Sequence, residues 1–132
     1  MATPLATDQG RKKCIVFVDD IPQMIAIVQK MFDQLGIHAR CFNSADEAIA
    51  FICQSPDSVR LLITDQSMSP VTGLQLIDQI QSRCNLPPVI LATSVQSEVA
   101  ISEYKDRGVS ALLRKPFTLH ELEQVVIDYA VT

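Results

Sequence analysis

The sequence predicts an α/β domain in which five parallel strands alternate with five helices. Short apolar segments rich in β-branched residues recur along the chain, and amphipathic segments with a helical period separate them. This alternation is typical of a parallel sheet that helices cover on both faces through right-handed crossovers. A length of 132 residues fits one domain.

The first strand and helix have the clearest patterns. In the strand predicted over 13–18, the residues after Lys13 form an unbroken apolar run, typical of a strand buried on both faces, and the run stops at Asp19. Pro22 suits the first turn of a helix, and apolar residues then recur with a helical period. Gly36 is predicted to close this helix as its C-terminal cap.

The second strand and helix rest on a weaker pattern and a capping motif. Polar residues interrupt the strand predicted over 37–42, so an edge position suits it. Ser44 and Glu47 form the signature of a capping box for a helix through Ile52. The Pro-Asp-Ser segment at 56–58 then turns the chain.

The last three strand-helix units continue the alternation of strand and helix. Their strands are predicted over residues 61–64, 89–92 and 111–113. Gly73 precedes the third helix, and the fourth, predicted over 97–107, ends at Gly108. Thr118 and Glu121 form a second capping box, which begins the last helix.

Composition and charge exclude several classes of protein. Charged residues make up 20% of the chain and the net charge is −4, which offers no basic surface for nucleic acid or for an anionic membrane. No segment resembles a signal peptide or a membrane span. We expect a cytoplasmic protein that contacts neither membrane nor nucleic acid directly. Residues 1–12 are expected to form a flexible leader, with the domain over 13–132.

The four cysteines show no Cys-x-x-Cys spacing and no cluster with histidine, which argues against a zinc site. We expect buried, reduced thiols. These residues are Cys14, Cys41, Cys53 and Cys84.

The apolar character of the strands predicts their order. The first strand is among the most apolar and the second the least, which favours the first inside the sheet and the second at its edge. This agrees with the flavodoxin-like, doubly wound order 2-1-3-4-5. In such a sheet, ligands bind beyond the carboxyl ends of the strands.

Polar residues follow the strands at that edge. They are Asp19, Asp20, Asp65, Thr93 and Lys115. Three neighbouring carboxylates repel one another unless a cation lies between them, and ligands that are all oxygen favour Mg²⁺. A carboxylate can attack phosphorus, while a cation, an ammonium and a hydroxyl stabilise the transferred group. The residues therefore predict phosphoryl transfer to a protein carboxylate.

From residue 13 onward the chain resembles a response-regulator receiver domain of two-component signalling. The motifs that carry the resemblance are Val18-Asp19-Asp20-x-Pro22, Thr64-Asp65-x-x-Met68 with Gly73, Val89 to Ser94, and Arg114-Lys115-Pro116-Phe117. Their order and separations match the family. The resemblance fits a single-domain regulator or the kind of receiver attached to hybrid sensor kinases.

The resemblance implies a Mg²⁺ site and a phosphoacceptor. Asp65 matches the phosphoacceptor and also a metal ligand, and Asp20 matches a direct ligand of the ion. Asp19 would hold the ion mostly through water, and the backbone carbonyl of Ser67 would be a further ligand.

The resemblance also implies a switch and its partners. Thr93 matches the hydroxyl that turns toward the phosphoryl group, and Lys115 matches the lysine that pairs with its oxygen. Pro116 would follow a cis bond. The expected partners are a sensor histidine kinase or a histidine phosphotransfer protein, and a downstream protein that the sequence does not identify.

The chain departs from the family pattern at three places. Ile21 replaces an acid beside the aspartate pair, and Pro70 lies one position later than the usual proline. Leu112 stands where many members carry a tyrosine or phenylalanine that swings inward behind the switch hydroxyl. Coupling to the fourth helix and fifth strand is therefore expected to be weak or to use another readout.

Other functions fit less well. A receiver-like interaction module that no longer depends on phosphorylation would agree with these departures, although all the phosphorylation residues remain. A phosphohydrolase of the haloacid-dehalogenase type needs Asp-x-Asp, whereas Asp19 and Asp20 are adjacent. Glycine-rich phosphate-binding motifs are absent from the sequence. We therefore expect a signalling module rather than an enzyme.

Overall fold

One parallel sheet of five strands organises the domain. A computed structural model describes residues 13–94 and 98–131, with side chains in the second range from residue 102 onward. The strands are β1 (Cys14–Val18), β2 (Ala39–Phe42), β3 (Val59–Asp65), β4 (Val89–Thr93) and β5 (Ala111–Arg114). Their order is β2-β1-β3-β4-β5, which confirms the predicted topology.

Within the described residues, four helices connect the strands and a fifth follows β5, as predicted. They are α1 (Pro22–Leu35), α2 (Ala45–Gln54), α3 (Gly73–Gln81), α4 (Glu98–Asp106) and α5 (Leu119–Tyr129). A 3₁₀ turn, Pro56–Ser58, precedes β3. The predicted leader and Ser97, the predicted start of the fourth helix, lie outside the described residues.

Local capping places the helix ends. Gly36 adopts the left-handed conformation with φ 69°, so its backbone supplies the predicted cap of α1. Thr118 and Glu121 form the predicted capping box of α5. The Ser44 hydroxyl accepts the N–H of Glu47 at 3.4 Å, at the start of α2.

The sheet separates two apolar layers, and alternation along β1 shows the division. Cys14, Val16 and Val18 face the layer under α2 and α3, whereas Ile15 and Phe17 face the layer under α1 and α5. Every residue of β1 is buried, which confirms its predicted interior position. β2 lies at an edge, also as predicted.

The expectation of four reduced thiols is wrong for two of them. Cys53, near the end of α2, and Cys84, beyond α3, form a disulfide with a Cα–Cα distance of 5.5 Å. Cys14 and Cys41 are free. The pairing arises because helices that run antiparallel to the strands on one face bring their C-terminal ends to the same end of the sheet. A separation of 31 residues carries no sign of this contact in the sequence.

Within the described residues, no helix has the length and apolar character that crossing a membrane requires.

Candidate metal centre

Three carboxylates meet at the carboxyl end of the sheet. One oxygen from each of Asp19, Asp20 and Asp65 lies within 4.8 Å of the other two. Asp19 is 0% exposed and Asp65 is 3% exposed, while Asp20 is half-buried. The sequence predicted that these three side chains would converge, and the structure places them together.

Strand register explains the convergence. β1 and β3 are parallel neighbours, and Val18 lies opposite Thr64. The residues that follow this matched pair therefore leave the sheet at the same level. Asp19 and Asp20 follow β1, and Asp65 is the last residue of β3.

Lys115 contributes a cation to the cluster. Its Nζ lies 3.3 Å from Oδ1 of Asp65 and 3.5 Å from Oδ2 of Asp19. The backbone N–H of Lys115 donates to the carbonyl of Thr93 at 3.1 Å, which holds the end of β5 against β4. The Lys115–Pro116 bond is cis, as the resemblance implied.

The surroundings of Asp65 oppose its ionisation. Burial is the largest influence and raises the pKa of its carboxyl, and the Asp19 carboxylate adds to the rise. The Lys115 ammonium and the N–H of Ser67 lower this pKa but do not cancel the effect of burial. An added cation would favour the charged form.

Backbone amides bind the other two acids. Oδ1 of Asp19 accepts the N–H of Ile21 at 3.0 Å, and Oδ2 of Asp20 accepts the N–H of Ser69 at 3.2 Å. These contacts orient the carboxylates and partly offset their charge. The Ile21 side chain is apolar and therefore adds no charge to the site, and the residue is 46% exposed.

Thr93 lies at the same edge. It is the last residue of β4 and is 4% exposed. In the register of β4 with β5 it lies opposite Arg114, the residue that precedes Lys115. β4 is the neighbour of β3, with Ala92 opposite Asp65. All five polar residues that the sequence selected are therefore at one end of adjacent strands.

The donor set fits a hard divalent cation. All three side chains offer oxygen, and three carboxylates outnumber the ammonium of Lys115. Such a group retains negative charge for a divalent ion to neutralise. Ser67 is exposed in the loop directly after β3, where its carbonyl is a candidate for a further ligand.

The departures from the family pattern have structural consequences of different kinds. Pro70 follows a cis bond with Ser69, in a loop that borders a cleft of about 210 Å³ beside Asp20. Leu112 is half-buried against the apolar layer under α2 and α3, and it lies opposite Leu91. An aliphatic side chain thus occupies the position where many members of the family carry an aromatic ring.

Sequence reasoning singled out Gly73 as part of a motif but missed its packing role, and it missed a capping box at the same place. A Cβ on Gly73 would fall on the carbonyl oxygen of Asp65, so α3 can begin this close to the acid only with glycine. Thr72 and Gln75 form a capping box at the same helix start. The Thr-x-x-Gln spacing could have revealed the box. The approach of Gly73 to Asp65 is tertiary and leaves no local signal.

Comparison with known proteins agrees with the fold and the motifs. Curated relatives include the two-component response regulator EHD1 of Oryza sativa subsp. indica, 23% identical over 84% of this chain and 32% of that protein. The DNA-binding transcriptional regulator NtrC of Klebsiella pneumoniae is 30% identical over 87% of this chain and 24% of its own length. The chain thus spans about a quarter to a third of these relatives.

Solved structures share the fold. The chemotaxis protein CheY4 of Vibrio cholerae matches with a TM-score of 0.79 and 22% identity, over 89% of this chain and 98% of that one. A response regulator receiver domain protein from Clostridium thermocellum matches with a TM-score of 0.77 and 20% identity, over 86% and 90% of the two chains. The family model described as the response regulator receiver domain matches residues 15–127. This chain belongs to that family.

Proposed function

We propose that Asp65 accepts a phosphoryl group in a Mg²⁺-dependent reaction and that its phosphorylation switches binding to a partner protein. The observation that carries the proposal is the position of Asp65, a buried carboxylate between two further acids and the Lys115 ammonium. Burying neighbouring carboxylates costs free energy unless a cation offsets their charge, so such a cluster is typical of a functional site.

Asp19, Asp20, Asp65 and the carbonyl of Ser67 would hold the ion, with Asp19 acting mostly through water. Bound Mg²⁺ neutralises charge on the carboxylates and on phosphate oxygens. Asp65 stays ionised more readily when a cation is present, because burial and Asp19 otherwise raise its pKa. An ionised Asp65 is the form that can attack phosphorus.

In the transfer step, a carboxylate oxygen of Asp65 forms a bond to phosphorus while the bond from phosphorus to the donor breaks. The electron pair of that bond leaves with the donor group, which is an imidazole for a phosphohistidine and acetate for acetyl phosphate. Lys115 and the Thr93 hydroxyl would stabilise the oxygens of the transferred group.

The proposed donors are a sensor histidine kinase or a histidine phosphotransfer protein. Phosphorylation would favour one of two existing conformations, with Thr93 turning toward the phosphoryl group. Leu112 has no ring to follow that movement, so the readout is proposed to be weaker than in members with an aromatic residue or to use another surface. The downstream partner is proposed to be a protein, and no direct binding of nucleic acid is proposed.

The experiment is incubation of the chain with acetyl phosphate, with and without Mg²⁺, followed by intact mass spectrometry. Wild type should gain one phosphoryl group only with Mg²⁺, and Asp65→Asn should gain none. Asp57→Asn, which changes an exposed acid in the 3₁₀ turn, should behave as wild type. A wild-type chain that stays unmodified would favour the phosphate-independent interaction module, and steady release of phosphate from small phosphomonoesters would favour a phosphohydrolase.

A further inference from the structure

Gln66, the residue after Asp65, ties the loop beyond β3 to its neighbours. Its N–H donates to the carbonyl of Ala92 at 3.0 Å, and its own carbonyl accepts the N–H groups of Met68 and Gly73, both at 3.1 Å. Its side-chain Oε1 accepts the N–H of Leu74 at 2.9 Å. One half-buried residue thus links β4, the loop and α3.

These contacts complete the start of α3. The first backbone N–H groups of a helix have no partner within the helix. In α3, the carbonyl of Gln66 accepts from Gly73, its side chain accepts from Leu74, and the Thr72 hydroxyl accepts from Gln75 at 3.2 Å. Gln66 therefore supplies two of these three acceptors, one of them through its side chain.

The loop that Gln66 holds also binds the acids. The N–H of Ser67 donates to the Asp65 carboxylate, and the N–H of Ser69 donates to Oδ2 of Asp20 at 3.2 Å. A shift of this loop would remove both donors. It would also move the Ser67 carbonyl, which is the ligand proposed from the backbone.

We propose that Gln66 is a positioning residue of the Asp65 site, whose side-chain oxygen fixes the loop from Ser67 to Ser69 against α3. The inference rests on the proposed function, since it concerns how that site is held ready for the ion. Gln66 itself contacts neither the carboxylates nor a reacting atom in the contacts described above. Its effect passes through the loop backbone.

Gln66→Met keeps the length of the side chain and removes the strong acceptor. The Leu74 N–H then loses its partner, and ordering of the loop would have to accompany binding of the ion. The affinity for Mg²⁺ should therefore fall by up to about fivefold, the equivalent of one net hydrogen bond. Gln66→Glu keeps an oxygen at the same place and should restore the contact. Gln34→Met makes the same change at an exposed position in the last turn of α1 and should behave as wild type.

Two measurements on the full chain test the inference. Amide hydrogen exchange should show loss of protection at Leu74 and at the loop in Gln66→Met, and its recovery in Gln66→Glu. Isothermal calorimetry with MgCl₂ at high ionic strength, which screens the charge that glutamate adds, should give weaker binding for Gln66→Met alone. The recovery by glutamate separates an acceptor role from general loss of packing.

The outcomes separate this inference from the proposed function. Equal Mg²⁺ affinity and equal exchange at Leu74 in wild type and Gln66→Met would overturn the positioning role and leave the phosphoacceptor proposal standing. Failure of wild type to bind Mg²⁺ would overturn the proposed function and the positioning role together. Weaker binding by Gln34→Met to the same degree would also overturn the role of Gln66, because the effect would then not depend on position.

Discussion

Asp65 is buried close to one charge that favours its ionisation, on Lys115, and one that opposes it, on Asp19. Nζ of Lys115 lies 3.3 Å from Oδ1 of Asp65, while a carboxylate oxygen of Asp19 lies within 4.8 Å of a carboxylate oxygen of Asp65. The pKa of Asp65 remains raised, because removing the carboxylate from water outweighs the attraction of one ammonium. In the metal-free protein, Asp65 therefore opposes folding when it is ionised.

The raised pKa of Asp65 predicts that Asp65→Asn changes the stability of the fold by an amount that depends on pH. Between the ordinary pKa of 3.8 and the raised pKa of the folded state, the folded protein keeps a proton that the unfolded chain has released. The free energy of unfolding of wild type therefore falls as the pH rises through this window, and asparagine removes that loss. In EDTA, the Tm advantage of Asp65→Asn over wild type should be small near pH 4 and should grow as the pH rises toward 7.

Thermal unfolding by circular dichroism checks this prediction. Asp57→Asn serves as the control and should follow wild type across the pH range. Addition of Mg²⁺ at pH 7 should raise the Tm of wild type more than that of Asp65→Asn. A Tm difference between wild type and Asp65→Asn that does not change with pH would contradict the electrostatic explanation.

At the residue scale, the sequence predicted the polar side chains of the site but not their supports. Asp19, Asp65 and Lys115 follow apolar runs, and parallel strands deliver such residues to one edge of the sheet. The Gln66 contact with Leu74 joins a side chain to a backbone group eight positions away through the shape of a loop. No periodic or capping pattern encodes that shape.

At the element scale, the start of α3 determines how closely the helix approaches the site. A Cβ on Gly73 would overlap the Asp65 carbonyl and lie 2.8 Å from Cδ1 of Leu91. Because neither backbone nor buried side chain can yield easily, the helix start would have to move. The loop that carries Ser67 would move with it.

Gly73→Ala should therefore lower stability by about 1–3 kcal/mol and weaken Mg²⁺ binding. Gly36→Ala is the matched control, since it costs about 1 kcal/mol through its left-handed conformation and lies at the end of α1. Urea unfolding and calorimetry with MgCl₂ measure the two effects. Equal Mg²⁺ affinity in both variants would show that the approach of α3 to Asp65 does not shape the site.

Strands and helices with strong apolar patterns were predicted correctly, but the residues at which they begin and end were predicted less accurately. β1 lies within the predicted residues 13–18, and α1 was predicted over the residues that form it. β3 begins at Val59 rather than at residue 61, because pairing with β1 extends a strand beyond its apolar run. Register is a property of two strands, so one strand's sequence does not specify it.

At the scale of the whole molecule, the Cys53–Cys84 disulfide joins the ends of α2 and α3 away from the acid cluster. The bond closes a long loop in the unfolded chain, with a sequence separation of 31. Closure of such a loop adds about 3–4 kcal/mol to the free energy of unfolding, because it restricts the unfolded chain. Burial raises the pKa of Cys41 to about 11, so this free thiol is a poor nucleophile for exchange with the bond.

Reduction should therefore lower the Tm by about 10 °C. Cys53→Ser cannot form the bond, so its Tm should be close to that of reduced wild type both with and without reductant. The Tm of Cys41→Ser should fall on reduction as that of wild type does. Differential scanning calorimetry with and without a phosphine reductant gives the comparison. An unchanged Tm for wild type on reduction would contradict a stabilising role for the bond.

The parallel strand order makes the site a property of the whole chain. The order β2-β1-β3-β4-β5 sets β3 between the strands that carry the aspartate pair and Thr93, and β5 brings Lys115 alongside. Topology was predictable because the apolar gradient among strands and the right-handed crossover leave few arrangements. The disulfide was not predictable, because it depends on packing at the opposite end of the sheet.

The central claim is that residues far apart in the sequence bind one ion and one phosphoryl group together. The most direct measurement is an amide NMR titration with Mg²⁺ followed by beryllofluoride, which mimics a phosphoryl group on aspartate. Binding should shift signals together at Asp20, Ser67, Thr93 and Lys115, while Asp65→Asn should lose the response to beryllofluoride. Shifts confined to one of these segments, or no response of wild type to either addition, would contradict the account.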